Sequence, residues 1–169
     1  LTKLSDELRK LSARAEEAEK RVAAARDKTK SDIEADRDAA RAAKVLRHPE
    51  EDAVLAACRD AAARHGIWLH LGSLAVLAEG GKVANRAFVI DGTGEIRATY
   101  DKMHLFDVDL PTGESWRESN TYRAGEHPVV VNGTPVGKLG LTICYDLRFP
   151  MLFARIAEAD ADVIAVPAA

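Results

Sequence analysis

The chain has 169 residues, 47% apolar and 30% charged, which suits one good-sized globular domain, or one small domain with an appendage. Net charge is −3, with 12 Lys/Arg against 10 Asp/Glu in residues 1–44 and 12 against 17 in the rest. Neither balance makes the basic stripe of a nucleic-acid binder, and the sequence shows neither a membrane-length apolar run nor the apolar core of a secretory leader.

Residues 1–44 contain no Pro, Gly or aromatic residue. Leu1, Leu4, Leu8, Leu11, Ala15, Ala18, Val22 and Ala25 alternate at three- and four-residue steps, the a/d seam of a coiled coil. Thr29 and Ile33 then break the register. The spacing predicts a long, coiled-coil-like helix over 1–44, followed by a second domain over 45–169. Pro49 ends any continuing helix. Glu50 to His65 reads as a new helix stopped by Gly66. Leu69–Val76, Asn85–Asp91 and Glu95–Asp101 read as strands separated by Gly-rich turns. Residues 103–127 lack periodicity and read as a long functional loop. Val129–Val131 and Val136–Cys144 read as strands joined at an Asn132-Gly133 turn. A helix from Phe149 to Ala159 and a strand from Asp162 to Val166 complete an α/β pattern.

Cys144 closes an apolar strand just before a turn into a helix, where a nucleophile can stand above a sheet near backbone donors. The same residue could instead be a small buried hydrophobe. Lys102 ends another strand, either as a solvated surface charge or as a cation that lowers a thiol pKa and holds an oxyanion. Cys58 and Cys144, the two cysteines, are too few for a disulfide framework or a zinc site, so a reduced, cytoplasmic setting is expected.

Tyr100-Asp101-Lys102-Met103-His104-Leu105-Phe106-Asp107, Arg117-Glu118-Ser119 and Gly140-Leu141-Thr142-Ile143-Cys144-Tyr145-Asp146-Leu147-Arg148-Phe149-Pro150 together resemble the carbon–nitrogen hydrolase (nitrilase) superfamily. The branch they are most similar to is the Nit-type amidases, the omega-amidase and deaminated-glutathione-amidase group. Leu71-Gly72-Ser73 and Ala84-Asn85-Arg86-Ala87-Phe88 fit in order and spacing. The resemblance covers about 45–169 and implies a partial αββα layered fold. It implies amide hydrolysis through a thioester on Cys144, with Lys102 as oxyanion stabiliser and Glu118 as the family's second glutamate. Tyr145 would add its backbone N–H. Asp146 and Arg148 would contact substrate or order the turn, Arg148 meeting an acidic substrate group. No cofactor or metal is implied.

The family's first glutamate, its general base, has no clear counterpart. Pro49-Glu50 imitates the expected dipeptide, but no strand precedes it, and Glu50 reads as a helix N-terminal residue. The expected function is hydrolysis of a small carboxylate-bearing amide. The alternative is a non-catalytic oligomerising scaffold or an inactive piece of a nitrilase-fold enzyme. A thiol sensor on Cys144 is a weaker reading, because no resolving cysteine is near in sequence. Expected partners are the amide and a second copy of the chain, joined through the family's interface or through the N-terminal helix. No nucleic acid or membrane is expected.

Overall fold

The computed structural model describes residues 52–78, 82–113 and 115–168, together with residues 16, 17, 19–21 and 23. The chain divides into two units, Leu1–Ala43 and Lys44–Ala169. In the first unit Glu16, Glu17, Glu19, Lys20, Arg21 and Ala23 are helical and exposed. None of them belongs to the predicted seam. The seam, the length of the coiled-coil-like helix and Glu50 all lie outside the described residues.

The second unit opens on α1 (Ala53–His65). It starts later than the sequence suggests because Asp52 is its cap: Asp52 Oδ1 accepts from Leu55 N at 2.6 Å. Gly66 ends it as expected, in the left-handed region. β1 (Leu69–Leu77), β2 (Val83–Ile90) and β3 (Ile96–Asp101) then form an antiparallel sheet in that order. β4 (Asp107–Asp109) and β5 (Ser115–Arg117) pair as a small antiparallel ribbon. β6 (Val129–Thr134) and β7 (Gly137–Leu141) are antiparallel, and α2 (Pro150–Glu158) carries the chain across to β8 (Val163–Ala165), parallel to β7. Pro150 sits at the first turn of α2, where its missing N–H costs no helical hydrogen bond.

Strand alternation builds the layers. From β2, Phe88 and Ile90 face α1 and join Leu55, Ala62 and Val76 in one buried cluster. Ala87 and Val89 point the other way and meet Tyr100, Val131, Leu139, Leu141 and Ile143 between the sheets. Gly140 of β7 faces outward against Ile156 of α2. The order is therefore helix, sheet, sheet, helix, and each fully buried Leu, Ile or Phe contributes about 1.5–3 kcal/mol. No helix among the described residues is long and apolar enough to cross a membrane.

Two local expectations are corrected. The 103–127 segment is not featureless: it holds the β4–β5 ribbon and a 3-10 turn at Glu118–Asn120. Asn132-Gly133 is not the hairpin turn. The ladder slips between Val131 and Thr134, with Gly133 at φ 71, and the chain reverses at Pro135-Val136. The Asn-Gly preference for a left-handed residue is used in a bulge instead.

His70 lies on β1, and its Nε2 is buried with no hydrogen-bond partner among the described residues. Burial lowers its pKa below the ordinary 6.5, so the folded chain favours the neutral ring. The stabilisation is complete above 6.5, the unfolded value, and is lost as pH falls through the lower folded one. Urea midpoints measured from pH 8 to about 5 should therefore drop more steeply in the wild type than in His70→Leu. Equal slopes would show that His70 is not linked to folding.

Candidate active site

Lys102 follows β3 directly and is only 4% exposed. Its backbone N–H donates to Asn85 O at 2.9 Å and its carbonyl accepts from Gly125 N at 2.8 Å, so strand and returning loop hold it from both sides. Its Nζ meets Glu118 Oε2 at 2.7 Å. That same oxygen accepts from Phe106 N at 2.6 Å. Glu118 stands at the foot of the β4–β5 ribbon, which Arg117 and Asp109 close with a two-pronged ion pair at 2.7 and 2.9 Å. Asp107 Oδ1 accepts from Ser119 N, and bonds from Ser119 hold the Asp107 carboxyl below its ordinary pKa. Residues 16 apart in sequence thus meet because the ribbon folds the chain back on itself.

Cys144 begins a 3-10 turn, Cys144–Arg148, and is exposed. The β7 strand stops at Leu141, short of the sequence expectation of Cys144. Its direction is continued by Thr142 N on Ala165 O at 3.1 Å and Cys144 N on Pro167 O at 2.8 Å. Cys144 itself sits at φ 47, a left-handed conformation that non-glycine residues hold only when neighbours over-determine it. Among the described residues no hydrogen bond reaches Cys144 Sγ. Tyr145 is half-buried, with its ring edge-on to Phe106 at 4.9 Å and to Phe149 at 5.3 Å. Its N–H belongs to the first turn of the 3-10 segment, where a helical ladder supplies no acceptor. Arg148 is exposed at the far end of the turn.

Asp146 is 0% exposed. Its Oδ1 accepts from His104 N at 3.0 Å and meets His104 Nδ1 at 2.8 Å. Its Oδ2 accepts from Tyr100 Oη and from Ile143 N, both at 2.8 Å. A carboxylate offers about four acceptor sites, and the chain occupies all of them. Of the two expectations for Asp146, substrate contact or ordering of the turn, its burial and filled acceptor sites favour the second. Burial, then the Asp146 charge, pushes the Tyr100 phenol far up, so Tyr100 stays protonated and donates. His104 stacks on Phe149 with centroids 3.8 Å apart. In the sequence, Tyr100, His104, Phe106 and Phe149 stand inside the motifs with no role of their own. Their partners lie on distant segments, which spacing does not reveal.

Two clefts among the described residues lie elsewhere. One of about 480 Å³ is lined by Trp68, His70 and Leu139, among others. Another of about 560 Å³ lies over Arg86, Asp101 and Arg123. Neither contains Cys144, Lys102 or Glu118.

The carbon–nitrogen hydrolase profile matches residues 34–169, beginning within the segment assigned by sequence to 1–44. A deaminated glutathione amidase from Yersinia enterocolitica is 44% identical over 114 residues, covering 66% of this chain and 40% of the relative. The crystal structure of the Caenorhabditis elegans NitFhit protein superposes with a TM-score of 0.62 at 34% identity, covering 72% of this chain and 30% of that one. An amidase variant from Nesterenkonia sp. AN1, solved with the acetamide moiety of fluoroacetamide covalently added at its active-site cysteine, superposes with a TM-score of 0.57 at 29% identity. That likeness covers 69% of this chain and 41% of that one. The chain thus spans well under half the length of these relatives.

Proposed function

Because the chain belongs to the carbon–nitrogen hydrolase family, we propose that it hydrolyses the amide of a small carboxylate-bearing substrate through a thioester on Cys144. The observation that carries this reading is the buried Lys102–Glu118 pair at 2.7 Å, tied by Asp146 to the turn that bears Cys144. The Cys144 thiolate attacks the amide carbon and its S–C bond forms. Lys102 Nζ and the Tyr145 N–H stabilise the negative oxygen of the tetrahedral adduct. The C–N bond breaks and ammonia leaves with a proton from a general acid. Water then attacks the thioester, releasing the carboxylic acid and the thiol. Glu118 orients Lys102, and Arg148, exposed beside the turn, meets the substrate carboxylate.

None of the residues 52–168 is given the role of the family's first glutamate. A general base contributes about 10²–10⁴ in rate, so turnover without one is slower by that order. The direct test is ammonia release from short omega-amides, with Cys144→Ala as the control. Release should fall to background in the variant. Wild-type release no higher than that control would sink the amidase reading and leave the scaffold alternative.

Self-association is part of the same reading. Leu147 and Met151, 60% and 70% exposed on the turn and on α2, give an apolar surface for a second copy. A sedimentation coefficient that rises with concentration supports it. A strict monomer, unchanged on removing residues 1–35, argues against both this surface and the N-terminal segment as the joint. In domain terms, the proposal divides the chain at 44/45, with the chemistry confined to 45–169.

A further inference from the structure

We propose that Tyr100 and His104 are positioning residues: through one buried carboxylate, Asp146, they fix the Cys144 turn against the Lys102–Glu118 pair. Tyr100 lies two residues before Lys102 and His104 two residues after it, so both flanks of Lys102 end on Asp146. On the other side, Asp146 Oδ2 accepts from Ile143 N, the residue preceding Cys144. Asp146 N in turn donates to Ile143 O at 3.1 Å and Asp146 O accepts from Phe149 N at 3.0 Å, which closes the turn on itself. One carboxylate therefore joins segments 42 and 46 residues apart in sequence.

The geometry gives each partner a separate job. Tyr100 is 1% exposed in the inter-sheet core, so its hydroxyl is set by packing rather than by solvent. His104 is clamped between the Asp146 carboxylate and the Phe149 ring, which itself closes the Cys144 turn. Loosening either bond frees one acceptor site of a fully buried carboxylate, and the cheapest relief is movement of the exposed turn. The φ 47 conformation at Cys144 makes that turn the part with strain to release. Lost orientation at this point shows in the reactivity of the sulfur before it shows in the fold.

The proposal deepens the amidase reading, but its first test needs no substrate. In the full chain, Tyr100→Phe removes one hydroxyl, and His104→Phe keeps a ring against Phe149 while losing Nδ1. Iodoacetamide labelling is followed by peptide mass at Cys144, with Cys58 on α1 as the internal reference. Each variant should label Cys144 about tenfold more slowly, the ratio that one hydrogen bond to a charged group represents. Cys58 should label at the wild-type rate. With an omega-amide, kcat should fall and KM should hold. Wild-type labelling of Cys144 in both variants overturns the proposal. So does faster labelling of Cys144 and Cys58 together, because that signals general unfolding. Slowed labelling in variants of a chain that releases no ammonia keeps the positioning role and removes the amidase reading instead.

Discussion

Replacing Lys102 by alanine should abolish ammonia release and lower the unfolding free energy by about 3 kcal/mol, the lower end for breaking a buried ion pair. The side chains of Lys102 and Glu118 are 5% and 15% exposed, so the pair is largely withdrawn from water. Without the ammonium, Glu118 keeps the Phe106 N–H but loses its counter-charge. Its side chain is 15% exposed and can admit water, which is why the upper end of the range is not expected. On activity, loss of one oxyanion donor accounts for about 10²–10³ in kcat. Disordering Glu118 and the ribbon behind it deepens that loss. A double-mutant cycle with Glu118→Gln separates the terms by urea denaturation. A coupling energy near zero would mean the two residues do not act as a pair. A wild-type urea midpoint for Lys102→Ala would likewise remove the ion pair as a stabilising element.

The layered architecture is legible in the sequence wherever apolar periodicity sets structure. β2 reads as a strand because Ala87 and Val89 serve one cluster while Phe88 and Ile90 serve the other. The β4–β5 ribbon is not legible, since its short strands carry no core. It is held by polar links such as Arg117–Asp109 and Ser119–Asp107, which leave no periodic trace. The chemistry-bearing types are legible through the motif around Cys144 and the one around Lys102. Their mutual arrangement is not. An aspartate beside a cysteine reads equally well as a substrate contact or as framework. Only the folded chain shows that Tyr100, His104 and Ile143 fill the acceptor sites of Asp146. The same limit applies to Gly125, which the sequence presents as one more loop glycine.

Gly125→Ala should cost about 3 kcal/mol and depress activity, although position 125 bears no chemical group. A Cβ at this position would overlap the Asp101 carbonyl oxygen and lie 2.8 Å from the Asp101 carbonyl carbon. The obstacle is backbone and cannot rotate away. Nor can Asp101 move easily, because its carboxylate is gripped by Arg86 Nε and Nη2 at 2.6 and 2.9 Å, and the next N–H is bonded to Asn85. Relief therefore falls on the loop, which must lift and give up the Gly125 N–H bond to the Lys102 carbonyl. That bond is one of the two that hold the Lys102 backbone, so lifting the loop also loosens the ammonium that Glu118 faces. The urea midpoint and the ammonia rate should fall together. If the midpoint falls and the rate per folded molecule does not, the loop at Gly125 supports the fold without setting Lys102. If neither moves, the returning chain does not run against Asp101, and the placement of Lys102 must come from β3 and Asn85 alone.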